Sequence, residues 1–465
     1  MNYKETMNEL SKGHVFGKDP ISLKLFKTYM NSKNNIQKQL KCIHISGTNG
    51  KGSTSYAMEQ ILMEAGYKTG VYSSPNIESD FDCIRINGKK ISQERYESYI
   101  NLYFDEWKQY GLSSFEAEVF ISFLYFIEEK VDFVIYEVGM GGKEDATNVI
   151  DSILSIITNI GLDHCDYLGN TYLEIAQKKA GIIKKNSLFI TGEKRKDCLD
   201  WFSYICHQKH TKMYTAIKED FYMDSGLHLN VLDYSNIYIP VYASYQSKNI
   251  SLAIQALEVL KKENYIQFKK EDVYKGLSHF HWTGRFEIVR KDPLIILDGA
   301  HNLEGIKELV NSCKDIKNLS VLFSALKDKP YDDMLEELKK ISSHIMVCDF
   351  EHNRKADVSL FLKHDVEVID SYEKIIKEIQ TPLLICGSLY FIEEKVDFVI
   401  YEVGMGGKED ATNVIDSILS IITNIGLDHC DYLGNTYLEI AQKKAGIIKS
   451  NSLFITGEKR KLYSI

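Results

Sequence analysis

The sequence predicts an α/β protein in which a doubly wound, mostly parallel sheet built on a phosphate-binding loop (P-loop) is followed by a smaller Rossmann-like α/β domain. Three observations carry this. Residues 41–66, KCIHISGTNGKGSTSYAMEQILMEAG, read as a buried strand, a glycine-rich turn and a helix. Residues 131–138 and 153–160 are strands too apolar to keep a wet face, the pattern of strands covered on both sides. From Pro293 a second βα series follows, with strands at LIIL, 319–323, 345–350 and 382–386 and helices at 303–313 and 331–341.

In chain order, a break at residues 17–20 precedes the periodic Ile21, Leu23, Leu25, Phe26, Tyr29 and Met30, so two helices lead into the first strand. The loop Gly47-Thr48-Asn49-Gly50-Lys51-Gly52-Ser53 comes next. Its glycines let successive amides curl towards phosphate oxygens, the helix N-terminus adds partial positive charge, and Lys51 reaches the outer phosphates; Ser53 or Thr54 can hold Mg²⁺. Gly52, standing between lysine and hydroxyl, departs from the strict G-x-x-x-x-G-K-[ST] spacing, so the nucleotide reading rests on the strand and helix around the loop. Residues 69–75 form a short strand ending in Ser73, Ser74 and Pro75. Asn87-Gly88 between alternating isoleucines reads as a hairpin, and residues 94–107 and 115–129 as helices.

Glu137 closes the 131–138 strand, where a carboxylate downstream of a phosphate loop serves as a Mg²⁺ ligand or holds a water on the ion. A rim-exposed acid is the plain alternative. The next strand ends in Asn159-Ile160-Gly161-Leu162-Asp163-His164, at the sheet edge where ligands of doubly wound folds bind; a lone histidine there is equally read as simply hydrogen-bonded. A helix over 171–179 ends at Lys179. Residues 185–240 read as short strands and loops with no chemistry of their own, and 249–262 as an amphipathic helix. His281-Trp282-Thr283-Gly284-Arg285-Phe286-Glu287 breaks the pattern, giving an ATP-binding domain over 1–287 and a second domain over 288–392. In the latter Asp298 and His301 stand in DGAHN at a strand's carboxyl end, although an Asp-Gly turn with a capping Asn302 explains the same residues.

A chain of 465 residues fits about three domains of ~150 residues. A net charge of −9 argues against a nucleic-acid surface and for small-molecule partners. No apolar signal-like stretch opens the chain and no run approaches the ~20 apolar residues of a membrane span, so a cytoplasmic protein without membrane attachment is expected. Nine scattered cysteines without a C-x-x-C pair fit reduced thiols.

Together HISGTNGKGS (44–53), SSP (73–75), EVGMGGKEDATN (137–148), TNIGLDH (158–164), LGNTYLEIAQKKAGIIK (168–184), GR (284–285) and DGAHN (298–302) resemble the folylpolyglutamate synthase and dihydrofolate synthase family, a branch of the Mur ligase group. The resemblance implies that ATP activates a substrate carboxylate as an acyl phosphate, which the amine of L-glutamate attacks with loss of phosphate. The acceptor would be a folate or dihydropteroate, and the protein a monomer. Nucleotide contacts are implied at Gly47, Thr48, Asn49, Gly50, Lys51, Gly52, Ser53, Asn249, Arg285, Asp298 and His301. Two Mg²⁺ sites are implied, the first at Ser74 and Glu137 and the second at His164, with an acceptor pocket at Phe115, Glu116 and Asp145. Lys51, His164 and Lys179 form the implied catalytic set, Lys179 matching a lysine that is carbamylated in the family; without the resemblance it reads as a cation beside a helix C-terminus. Asn76, Asp82-Cys83, Thr283 and Lys143 replace the family's usual histidine, Glu-Arg, proline and arginine, and losing an arginine removes a bidentate carboxylate binder. Two alternatives stay open: a Mur-type peptide ligase for another carboxylate, and a P-loop protein that hydrolyses ATP without ligation. Arg285 and Asp298 argue against the second, because a switch protein needs no amino-acid cleft between two domains.

Residues 389–461 repeat residues 124–196 with one difference, Lys185 against Ser450. The copy lacks a phosphate-loop strand and comes once, unlike solenoid units. Residues 393–465, copying 128–196, are therefore expected to be a recombination or assembly product, not a native domain, with Glu402, His429 and Lys444 a motif set without a site.

Overall fold

The computed structural model describes residues 3–12, 23–75, 81–393 and, further on, 417, 419–423, 425, 430–434, 436–449 and 453–456. The break at 17–20, Asn76, the copied strand at 396–403, Glu402 and His429 lie outside the described residues. Residues 1–395 pack as one unit and 396–465 as another.

The first unit holds an eight-stranded sheet of β1 (Cys42–Ser46), β2 (Thr69–Tyr72), β3 (Ile84–Ile86), β4 (Lys89–Lys90), β5 (Phe133–Glu137), β6 (Ser152–Ile157), β7 (Leu188–Thr191) and β8 (Lys212–Thr215), ordered β4-β3-β2-β5-β1-β6-β7-β8. Pairings from β2 through β8 are parallel, and those through the edge hairpin β3–β4 antiparallel. All residues of β1, β2 and β5 are buried. Period-two alternation explains why: Ile43, Ile45 and Ile135 enter a core with the Lys51–Glu64 and Gln246–Lys262 helices, while Cys42, Val134 and Tyr136 enter another against the aromatic Gln93–Tyr110 and Ser114–Glu128 helices.

After the antiparallel sheet of β9 (Asp220–Met223), β10 (Leu227–Val231) and β11 (Tyr234–Ile239) comes a six-stranded sheet: β12 (Glu287–Lys291), β13 (Leu294–Asp298), β14 (Ser320–Phe323), β15 (His344–Val347), β16 (Glu367–Val368) and β17 (Leu383–Cys386), ordered β12-β13-β17-β14-β15-β16. Only β12 runs antiparallel to its neighbour.

The expectation of strands and loops over 185–240 is corrected by a helix, Lys196–Lys209, between β7 and β8. Its buried face is Cys198, Phe202 and Cys206, recurring every four residues, but Trp201, Tyr204 and Ile205 between them blur the period.

In the second unit β18 (Leu419–Ile422) and β19 (Leu453–Thr456) pair in parallel, Leu419 opposite Leu453, in the register of Leu154 opposite Leu188. Leu453, Phe454 and Ile455 are 73%, 43% and 56% exposed, whereas their counterparts Leu188, Phe189 and Ile190 are 6%, 0% and 1% exposed. The same sequence thus repeats its local pairing among the described residues, with this strand exposed where its counterpart in the first unit is covered.

Candidate active site

The carboxyl ends of β1, β5 and β6 and those of β13, β14 and β17 open on one cleft of about 1610 Å³. Gly50, at φ 82°, caps the Lys51–Glu64 helix, and a Cβ there would lie 2.1 Å from Asn249 Oδ1, so only glycine lets the loop pass. The displaced spacing at Gly52 has a local cause: a Cβ would sit 3.0 Å from the Trp282 indole, which also packs 4.8 Å from the Tyr56 ring. Lys51 Nζ donates to the Gly47 and Thr48 carbonyls at 3.1 and 3.4 Å, and Asn159 Oδ1 accepts from the Asn49 amide, fixing the loop before any phosphate arrives.

Glu137 ends β5, is buried, and accepts no hydrogen bond from a described residue. Burial pushes its carboxyl above the ordinary range, while Lys51, Arg85 and Arg285 pull the other way. Ser74 borders the same cleft. Among the described residues no three His, Cys, Asp or Glu side chains converge into a cation cage. His164, at φ 53°, lines the cleft with its Nε2 4.0 Å from Asp163 Oδ2. Burial lowers its pKa to about 4, against the pull of Asp163 and with help from Lys329, Lys179 and Lys51, leaving a neutral imidazole able to ligate a metal.

Lys179 is 4% exposed and its Nζ donates to the Gly47 carbonyl at 2.9 Å. Burial, then the Lys51 charge, lowers its pKa to about 7, so much of the amine is free base at neutral pH. Asp145 accepts from the Met140 and Thr147 amides and the Thr147 hydroxyl, and that hydroxyl meets His44 Nε2 at 2.8 Å. The Phe115 ring lies over Gly139, where a Cβ would come within 2.7 Å of it. Glu116 lines the cleft, but its Oε2 accepts from the Ser113 amide and hydroxyl, closing a capping box.

Asp298 accepts from Tyr245 Oη at 2.6 Å and from the Phe286 and Ala300 amides; the Arg285 guanidinium packs beside it against Gly299. His301 Nδ1 donates to the Gly299 carbonyl, and burial lowers its pKa to about 4. Asn302 caps the Leu303–Cys313 helix, so the turn-and-cap reading of DGAHN holds for that residue.

Four groups escaped the sequence reading as a set. Lys329 Nζ meets Asp163 Oδ1 at 2.6 Å, Asn302 Nδ2 donates to Asp163 Oδ2 at 3.2 Å, and the Asn49 and Asn302 amides exchange hydrogen bonds at 3.0 and 2.9 Å. Burial alone would raise the Asp163 carboxyl, but His301, Lys329 and His164 hold it well below the ordinary range. The phosphate loop is thus tied to the second sheet. Asp163 and Lys329 each stand just past a strand's carboxyl end, which was the one available signal.

Residues 45–257 and again 358–458 match the Mur ligase middle domain, and residues 284–387 match the Mur ligase, glutamate ligase domain. The dihydrofolate synthase/folylpolyglutamate synthase of Bacillus subtilis is 34% identical over 410 residues, 82% of this chain and 95% of that protein. A Mycobacterium tuberculosis folylpolyglutamate synthase, crystallised with ADP and AMPPCP, superposes with a TM-score of 0.76 at 25% identity, covering 86% of this chain and 100% of that one. A bifunctional folylpolyglutamate synthase/dihydrofolate synthase from Yersinia pestis, complexed with AMPPNP and Mn ion, gives 0.75 at 25% identity over 84% of this chain and 96% of that one.

Proposed function

Because the chain belongs to the folylpolyglutamate synthase and dihydrofolate synthase family of ATP-dependent Mur ligases, we propose that it joins L-glutamate to the carboxylate of a folate or dihydropteroate through an acyl phosphate, as a cytoplasmic monomer. The observation that carries this reading is the cleft between two sheets, with a phosphate loop and the buried Glu137 carboxylate on one side and the Asp298–His301 loop on the other.

Lys51 and the loop amides take the β- and γ-phosphates, opposing the charge that builds as the γ-phosphoryl group moves to the acceptor carboxylate. Glu137 and Ser74 would hold one Mg²⁺ and His164 a second; the ion supplies charge neutralisation on the transferring phosphate. Lys179, much of it free base, is able to take up CO₂ as a carbamate and so present a carboxylate-like group next to Gly47. Phe115 and Asp145 receive the acceptor's heterocycle, which points its carboxylate at the loop. Glutamate enters from the second sheet, where Arg354 and His301 line the cleft.

The test is a panel of acceptors assayed for phosphate release with ATP, Mg²⁺ and L-glutamate. Release that requires glutamate and a reduced pteroate or folate supports the reading. Activity only with a cell-wall precursor would make the chain another Mur-type ligase, and acceptor-independent hydrolysis would remove ligation altogether.

A further inference from the structure

One buried cation has no part in the scheme above. Arg85, in the middle of β3, is 7% exposed and turns away from the aromatic core that Ile84 and Ile86 enter. Its Nε donates to Glu59 Oε2 at 2.9 Å, and Glu59, fully buried on the Lys51–Glu64 helix, takes the Gly88 amide on Oε1 at 2.9 Å. Its Nη1 donates to Ser73 Oγ at 2.9 Å, and its guanidinium carbon lies 5.4 Å from the Trp282 ring, which itself lies against Gly52 of the phosphate loop. Apolar side chains of similar volume often hold a core as well as a buried ion pair does. What the guanidinium adds is direction: a planar fork gripped by a carboxylate at Nε presents Nη1 at a fixed angle.

Ser73 is the last point, among the described residues, at which the segment leaving β2 is held to the sheet. Its amide donates to the Cys83 carbonyl at 2.9 Å and its hydroxyl accepts from Arg85. Ser74 follows at once, and no hydrogen bond among the described residues reaches Ser74 itself. We infer that Arg85 is a positioning residue for the cation site: paired with Glu59, it pins the Ser73 hydroxyl and so fixes the Ser74 hydroxyl relative to Glu137. The inference rests on the assignment of Ser74 and Glu137 to one Mg²⁺ above. The amide bond alone leaves Ser73 free to swivel, and the bond to its side chain removes that freedom. Because Glu59 stands on the helix that begins at Lys51, the phosphate loop and Ser74 then share one fixed reference.

The experiment measures Mn²⁺ binding, by electron paramagnetic resonance, to the full chain saturated with AMPPNP, in wild type, Ser73→Ala, Ser73→Thr, Arg85→Lys and the Ser73→Ala/Arg85→Lys double variant. Ser73→Ala keeps the ion pair and loses only the hydroxyl. It is expected to weaken Mn²⁺ about 10-fold, the low end of what removing a group that orients a metal ligand costs, and its turnover should recover as Mg²⁺ is raised. Ser73→Thr keeps the hydroxyl and should bind as wild type does. Arg85→Lys keeps the charge beside Glu59 but its single ammonium cannot serve Glu59 and Ser73 at those angles, so it should match Ser73→Ala, and the double variant should be no weaker than either. Unchanged Mn²⁺ affinity in Ser73→Ala, or losses that add in the double variant, overturns the role of Arg85 and leaves the ligase reading standing. A wild type that binds no Mn²⁺ beyond that held by free AMPPNP removes the cation site and this inference with it. Should Arg85→Lys fail to fold, the contrast between Ser73→Ala and Ser73→Thr decides, and equal affinities overturn the inference.

Discussion

Lys179→Met is expected to stabilise the protein at acid pH while abolishing ligation. At 4% exposure the amine is held at a pKa of about 7 against the ordinary 10.5, chiefly by burial and next by Lys51. At 1.36 kcal/mol per pH unit, keeping it charged inside the fold costs about 5 kcal/mol. Opposing this is the bond from Nζ to the Gly47 carbonyl, whose loss leaves a buried acceptor at a cost of about 1–3 kcal/mol. Burial wins, for a net gain on the order of 2–4 kcal/mol. The pH window follows from the sign: the folded value is depressed, so the cost is full below about pH 7 and fades as pH rises to 10.5, where the amine is neutral folded or unfolded. Above that only the lost bond remains, and the variant should be the less stable. Denaturation midpoints of both proteins at acid and alkaline pH, in bicarbonate-free buffer so that no carbamate forms, measure this. A variant less stable at pH below 7, or a difference independent of pH, refutes the reasoning.

Lys51→Ala should abolish turnover, since one lost donor to transition-state charge costs about 3–4 kcal/mol; Glu137→Gln should do similar damage by weakening the cation site, while Glu402→Gln in the copied segment should leave kcat unchanged. Equal loss from the Glu137 and Glu402 changes would sink the assignment of the working copy. Asp163→Asn leaves the 4%-exposed Lys329 side chain with only Asp328, 4.0 Å away, as a carboxylate partner and should cost about 3–5 kcal/mol by urea unfolding, most of it recovered when Lys329→Met is added; strictly additive losses would show that the pair is uncoupled. Residues 393–465 are proposed to be a fragment without its covering layers, on the exposed Leu453, Phe454 and Ile455. A chain ending at Ile392 with a short helical cap should be more active per mole, and protease should cut the full chain first beyond residue 393; a resistant tail and a less active short chain would make the tail an integral part of the fold.

The phosphate loop was legible because glycine, lysine and the flanking periodicities are local signals, and β1, β5 and β6 because burial on both faces leaves apolar runs. The Lys196–Lys209 helix was not legible: only Cys198, Phe202 and Cys206 mark its buried face, and the half-buried Trp201 and exposed Tyr204 interrupt them. Site residues at strand ends were recoverable one by one, but not their partners. Asp163 lies 139 residues from Asn302 and 166 from Lys329, and no local pattern encodes such a pairing. The capping-box use of Glu116 was hidden for the opposite reason: a Ser-x-x-Glu spacing was present at Ser113, but the family resemblance had already given Glu116 to the acceptor pocket.

Oxygen transfer tests acyl-phosphate ligation most directly. With ¹⁸O in both oxygens of the acceptor carboxylate, one oxygen bonds to the γ-phosphorus and leaves with it when the glutamate amine displaces phosphate from the carbonyl. The expected result is one ¹⁸O in each phosphate released and one retained in the new amide; ATP consumed with unlabelled phosphate would contradict ligation through an acyl phosphate.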